Sequence, residues 1–337
     1  MPEPIQAKLA EHDPIQTPWE HAHERQLQLL PIGQSKIRQL PLNGMKSPLL
    51  KLIRSFLPAF CLCLSLHAQQ AAPLTSVPIV SRSNAVPFAQ GKACPLLSDL
   101  YIPEGAGPYP AIVFIHGGDW IGQDRTQMTK IIEEVASHGY VGMAIDYDLS
   151  PGAHFPVALY ESKEAVRWLR AHAATYHIDP QRIAVAGSSA GGELAALVAL
   201  TNGDPHFEGD GGSKGFSSSV KAAIIYNGVL DLTTVPDNNE SIIRYLGSSC
   251  SAQKELCIEA SPQRLIGPGS PPIYIGHGNA DQDVPYAQFT AFVAAYKRMN
   301  RPITPFTADG GPHTYWAKAP WFRVNADATL NFLKTYL

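Results

Sequence analysis

The stretch Arg182-Ile183-Ala184-Val185-Ala186-Gly187-Ser188-Ser189-Ala190-Gly191-Gly192-Glu193 constrains the chain most. Ile183 to Ala186 are apolar and read as a buried strand. They run into Gly-x-Ser-x-Gly and then into a helical pattern, Leu194 to Leu200. Strand, sharp turn and helix in that order can lift a serine hydroxyl above a sheet edge as a nucleophile. Gly187 and Gly191 flank Ser189 because such a turn leaves no room for side chains and needs unusual backbone angles. The positive end of the following helix then lies beneath Ser189. Small residues are common, so the pentapeptide alone also fits an ordinary strand-to-helix turn of an α/β domain.

The rest of the chain supplies the context. Its 337 residues, 45% of them hydrophobic, suit one large α/β domain with extras. A formal net charge of -3 gives no electrostatic argument for nucleic acid as a partner. No internal repeat is visible.

Residues 1–44, rich in Pro, Gln and His, read as disordered or as a mis-annotated extension. Residues 45–68 read differently. Lys46, Lys51 and Arg54 precede a short apolar run from Phe56 to Leu66, then His67-Ala68. That is the pattern of a secretory signal peptide, with translation starting at Met45 and a secreted or periplasmic mature protein. The run is short for a stable membrane span, which needs about 20 apolar residues; an uncleaved anchor is the alternative. Residues 69–98 read as a linker or edge-strand region. After cleavage Cys94, Cys250 and Cys257 remain. In an oxidising compartment Cys250 and Cys257 are a candidate disulfide, with three buried free thiols as the alternative. No Cys/His spacing points to a metal.

From Asp99 onward strands and helices alternate. The expected strands are Asp99–Pro103, Tyr109–Ile115, Tyr140–Asp146, the elbow strand, Val220–Tyr226, Pro272–His277 and Ile303–Thr307. The expected helices are Thr126–His138, Pro156–Thr175, the one after Ser189, Pro285–Met299 and Pro320–Leu337. Alternation predicts a doubly wound, mostly parallel sheet flanked by helices. Leu230 to Gly269 breaks the rhythm, with one short helical piece at Glu240–Leu246, and reads as a small cap-like insertion.

A serine hydroxyl needs a base in contact with it, and the base needs an acid to fix its tautomer. Such groups sit in loops at the carboxyl ends of strands. Acid candidates after Ser189 are Asp231, Asp281 and Asp283; Asp281, just past an apolar strand, is favoured by the order elbow, acid, base. After Asp281 only His313 remains as a base, in a glycine-rich turn past the next strand. A developing oxyanion needs preorganised donors. These are the N–H of Ala190 and backbone groups of the loop His116-Gly117-Gly118-Asp119. His116 reads as structural. Glu193 reads as a first-turn acid favoured by the helix dipole.

With these residues in hand the chain resembles the α/β-hydrolase superfamily. Within it, the chain is similar to hormone-sensitive-lipase-like esterases and to the bacterial feruloyl- and acetyl-esterase (BD-FAE-type) branch. The resemblance covers about Asp99 to the C-terminus, 99–337, as the catalytic domain. It rests on His116-Gly-Gly-Asp-Trp120, Asp146-Tyr-Asp-Leu-Ser-Pro151, Ala165-Val-Arg-Trp-Leu-Arg170, Ile178-Asp-Pro-Gln-Arg-Ile183, Gly187-Ser-Ser-Ala-Gly-Gly192, His277-Gly-Asn-Ala-Asp281 and Pro312-His313. It implies a Ser189–His313–Asp281 triad and an oxyanion hole from Gly118, Asp119 and Ala190, with Gly117 shaping the loop. It also implies no cofactor and carboxylic-ester substrates, small or polysaccharide-borne. Two positions depart from the pattern: Asp119 replaces a third glycine, and Asp148 stands where an arginine is usual.

The expected activity is therefore that of a serine carboxylesterase, acting on short acyl groups such as acetyl or feruloyl esters of plant polysaccharide. A prolyl-oligopeptidase-like serine peptidase and a non-catalytic carbohydrate-binding protein on a hydrolase fold are the alternatives. Neither a propeller domain nor an incomplete triad supports them.

Overall fold

The segment Tyr109–Ile115 is apolar on both faces, and this strand lies inside the sheet with every residue after Tyr109 buried. A computed structural model of the protein describes residues 79–337. The expectations for residues 1–44 and 45–68, and for the start of 69–98, lie outside the described residues.

The described chain forms one sheet of eight strands: β1 (Ile79–Gln90), β2 (Pro95–Pro103), β3 (Tyr109–Ile115), β4 (Val141–Ile145), β5 (Ile178–Ser188), β6 (Ala223–Tyr226), β7 (Ile273–Gly278) and β8 (Ile303–Ala308). Their order is β1-β2-β4-β3-β5-β6-β7-β8. β1 and β2 pair antiparallel at one edge, and β2 pairs antiparallel with β4. From β4 to β8 all neighbours are parallel. The segment expected as a linker or edge region therefore supplies an edge strand, and β2 starts at Pro95 rather than Asp99. Val86, Leu97 and Leu100 carry too weak an alternation for a single sequence to set the strand ends.

Helices cover both faces, as parallel strands require. α1 (Thr129–Ala136) and α7 (Trp321–Tyr336) pack on one face, where Ile112, Phe114, Ile131, Ile132, Leu330 and Leu333 are buried together. α2 (Val157–Ala171), α3 (Ala190–Leu200) and α6 (Tyr286–Arg298) pack on the other, against Val113, Ile115, Val185 and Ile225. The helix expected from Thr126 starts later, because Asp124 turns the chain first by accepting from the Thr126 N–H and hydroxyl.

The insertion after β6 holds two short helices, α4 (Glu240–Leu246) and α5 (Lys254–Glu259), between single turns at Leu232–Thr234 and Pro262–Leu265. The second helix was not legible in the sequence; it is six residues long, too short to show a period. Cys250 and Cys257 are joined by a disulfide that closes the link between the two helices. Cys94 is an exposed thiol, not a buried one.

Asp148, where an arginine was expected, has a physical consequence. Its carboxylate accepts from the Lys92 N–H, while its own N–H donates to Glu161 Oε2 at 2.8 Å. Glu161 is buried on α2 and faces this second carboxylate instead of a cation. Burial, with a contribution from the charge of Asp148, pushes its carboxyl up to about 8. A folded-state pKa above the unfolded one means the native state holds the extra proton. Stability from this group is full below about pH 4.5 and is lost as pH rises towards 8. Glu161→Gln keeps an acceptor for the Asp148 N–H and removes that loss. Its melting temperature should match the wild type at pH 5 and exceed it at pH 8 to 9, by about 1–3 kcal/mol in stability.

Candidate active site

The sheet order creates the site. β3 leads through α1 to β4 on one side, and β4 leads through α2 to β5 on the other side of β3. The loops that leave the carboxyl ends of β3 and β5 diverge, and the crevice between them is where α/β sheets take ligands. Ser189 stands there, immediately after β5.

Ser189 has φ 56° and ψ -122°, a backbone region that non-glycine residues avoid at a cost of roughly 1–3 kcal/mol. Its surroundings hold it. Its N–H donates to Tyr226 O at 3.0 Å, and its carbonyl accepts from Glu193 N at 3.1 Å in the first turn of α3. Gly187 and Gly191 are required by close approach: a Cβ on Gly191 would overlap the carbonyls of Ile115 and His116, and one on Gly187 would overlap the Gly191 backbone. The side chain of Ser189 lines a cavity of about 860 Å³.

The loop after β7 carries Asp281, whose side chain is fully buried. Its Oδ1 accepts the N–H groups of Asp283 (2.9 Å) and Val284 (3.0 Å). Its Oδ2 accepts from His313 Nδ1 at 2.8 Å, and His277 Nε2, which bonds to Val284 O at 3.1 Å, lies 3.0 Å from the same oxygen. Burial opposes ionisation, but these donors outweigh it and hold the Asp281 carboxyl well below the usual carboxylate range. Asp283 is exposed in the same loop. Asp231 is occupied elsewhere: it takes the Thr233 N–H and pairs with Arg264 at 2.9 Å. Of the three acids weighed, only Asp281 meets His313.

His313, past β8, lines the same cavity as Ser189. Among the described residues the Ser189 hydroxyl has no hydrogen-bond partner, so acid and base are in contact and base and nucleophile are not yet. Catalytic hydrogen bonds often close only when substrate is bound. Asn227, after β6, touches the imidazole instead. Its Nδ2 lies 3.1 Å from Nε2 and 3.3 Å from Nδ1. A position nearly equidistant from both ring nitrogens lies over the ring face, so the in-plane lone pair of Nε2 stays free for a serine.

The loop after β3 runs through three consecutive positive φ values, Gly118 (107°), Asp119 (55°) and Trp120 (60°). Gly117 gives its N–H to Gln127 Oε1 at 2.7 Å, which removes it as an oxyanion donor and leaves it as a shaper of the loop. The N–H groups of Gly118, Asp119 and Ala190 have no partner among the described residues. His116 bonds to Gly117 O at 2.7 Å and stacks on Tyr147 at 4.3 Å, and burial pulls its pKa down.

Sequence reasoning missed three contributors. His277 was visible only as part of a motif, and its 3.0 Å approach to Asp281 depends on folding. Asn227 carried no signal. Glu193 is not a surface first-turn acid: it is fully buried, and its carboxylate accepts from Trp120 Nε1 and Tyr245 OH. Burial pushes its carboxyl well above the usual range.

Comparison with known proteins places this geometry. The BD-FAE family model matches residues 98–296, more than half of the chain. The chain belongs to the BD-FAE family. It is 32% identical over 213 residues to the probable carboxylic ester hydrolase LipM of Mycobacterium tuberculosis, covering 60% of this chain and 49% of that one. It thus spans about half the length of the curated relatives it matches. Among solved structures, an esterase from the planctomycete Thermogutta terrifontis, bound to butyrate, superposes with a TM-score of 0.65 at 28% identity, covering 78% of this chain and 95% of that one. A truncated carbohydrate esterase from gut microbiota reaches 0.69 at 24% identity, over 77% of this chain and 99% of that one, a likeness of fold. The sheet and its flanking helices are those of an α/β hydrolase.

The packing around the elbow makes a direct prediction. In Gly191→Ala the new methyl meets backbone carbonyls that cannot rotate away, so the turn must shift. The variant should lose at least about 10²-fold in kcat/KM, the scale of a lost oxyanion donor, with a cooperative melt retained, as read by ester hydrolysis beside calorimetry.

Proposed function

We propose that this protein is a serine carboxylesterase that works through Ser189, His313 and Asp281. The observation that carries the proposal is the 2.8 Å bond from His313 Nδ1 to the buried Asp281, made in the cavity that the backbone-strained Ser189 lines. Asp281 fixes the tautomer in which Nε2 is the free base and stabilises the imidazolium that forms. Ser189 Oγ attacks the ester carbonyl as Nε2 takes its proton. The N–H groups of Gly118, Asp119 and Ala190 receive the oxyanion. His313 returns the proton to the leaving alcohol, and water then resolves the acyl-enzyme. Family membership and the butyrate held by the Thermogutta esterase support an ester substrate with a short acyl group.

The cavity lining supports a neutral, hydroxyl-bearing alcohol. Gln123, Gln127, Asn239, Ser241, Gln263 and Gln282 offer amide and hydroxyl groups beside Asp119, Asp231 and Asp283, and among the described residues no Lys or Arg lines the cavity. Such groups bond to sugar hydroxyls without demanding a charge. An acetyl or feruloyl ester of a polysaccharide fits this description. Export fits the same reading, since a disulfide persists in an oxidising compartment.

Hydrolysis of p-nitrophenyl acetate, butyrate and octanoate, and of acetylated xylan, tests the proposal. Turnover should fall from acetate to octanoate, and Ser189→Ala or His313→Ala should lower kcat by about 10⁴–10⁶-fold. Equal rates in wild type and Ser189→Ala would overturn it.

A further inference from the structure

The oxyanion loop is strained and yet well fixed, and the fixing group lies outside the reacting residues. Asp119 and Trp120 both hold positive φ, which side-chain-bearing residues keep only when neighbours over-determine it. Asp119 is exposed and supplies no such restraint through its side chain. Trp120 is buried and supplies three. Its carbonyl accepts from Ser150 N at 2.7 Å. Its indole stacks on the Tyr245 ring at 4.2 Å and 8°. Its Nε1–H donates to Glu193 Oε2 at 3.1 Å. Glu193 in turn accepts from the Tyr245 hydroxyl at 3.1 Å. Glu193 sits in the first turn of the helix that begins with Ala190, the other oxyanion donor. Tyr245 belongs to α4, in the insertion over the site. One fully buried carboxylate thus ties together the β3 loop, the nucleophile helix and the insertion.

We propose that Glu193 is a positioning residue for the oxyanion hole, holding the Gly118 and Asp119 N–H groups in register with that of Ala190 through Trp120, and that Tyr245 makes this register depend on the insertion. This rests on the esterase reading above. The insertion is then part of the catalytic frame as well as a wall of the cavity. A carboxyl suits the task because its two oxygens meet two donors at once, which no apolar residue of its size does. With either donor removed, the other still holds Glu193, so the loop should loosen by degrees.

The test uses the full chain with Trp120→Phe, Tyr245→Phe, Glu193→Gln and Glu193→Ala. Trp120→Phe deletes the N–H and keeps a stacking ring. It should lower kcat about 10-fold at unchanged KM, because the donors bind the oxyanion and not the ground-state ester. Inhibition by a trifluoromethyl ketone, which forms an oxyanion on Ser189, should weaken by the same factor. Glu193→Gln keeps an acceptor for Trp120 and should retain most of kcat; Glu193→Ala should not. Amide hydrogen exchange across residues 117–121 should rise in Trp120→Phe and Glu193→Ala, and stay low in Glu193→Gln. A lowered melting temperature with kcat, inhibitor affinity and loop exchange all unchanged in Trp120→Phe would overturn the proposal, and so would a rise in KM alone. The exchange measurement needs no turnover. If the wild type hydrolyses no ester, the esterase reading fails by that result, and unchanged loop exchange in Trp120→Phe would separately refute the tie.

Discussion

The close approach of the nucleophile turn to the end of β3 is the constraint on which the site depends. Gly191 lies against the carbonyls of Ile115 and His116, and Gly187 lies against Gly191. No side chain fits in that contact, so the turn is forced tight and Ser189 is forced to φ 56°. The same contact brings the N-terminus of α3 beside the β3 loop. A site of this kind costs conformational strain, and the sheet offsets it with strands buried on both faces.

The two buried carboxylates near the serine show how local partners decide chemistry. Both side chains are closed to solvent, but Glu193 lies deeper in the protein than Asp281. Asp281 accepts from Asp283 N, Val284 N and His313 Nδ1, with His277 Nε2 3.0 Å away, and these groups hold its carboxyl low. Glu193 has only neutral donors, Trp120 and Tyr245, and burial dominates. Under the proposed mechanism an ionised acid suits a partner of His313. A carboxyl easily held neutral suits a structural tie, because it places no charge in the core. Glu161 follows the second pattern away from the site, with Asp148 as its neighbour.

Much of this was legible in the sequence because it depends on short-range rules. The alternation of apolar strands and helices gave the parallel sheet, and Gly-x-Ser-x-Gly between strand and helix located the sharp turn. His313 stood out through position and order. Boundaries slipped where side chains redirect the backbone, as Asp124 does before α1. What stayed hidden were contacts made only by folding. Asn227 reaches the face of His313 across 86 positions of sequence, and Tyr245 reaches Glu193 across 52. Neither contact leaves a spacing or a period to read. Choosing Asp281 over Asp231 from sequence used chain order; the structure adds a reason, since Asp231 is already committed to Arg264.

The insertion after β6 gains a different meaning from this packing. A lid that only covers a cavity would touch the rest of the protein at its rim. α4 instead sends Tyr245 down to the base of the nucleophile helix, where it is 1% exposed and flanked by Trp120 and Phe155. The disulfide between Cys250 and Cys257 lies beyond α4 and ties the following loop to the first turn of α5. Opening such an insertion outright would remove Tyr245 from Glu193 and strip the stacking partner from Trp120. Asn239 and Ser241, half-buried at the start of α4, line the cavity, so this wall moves only with α4.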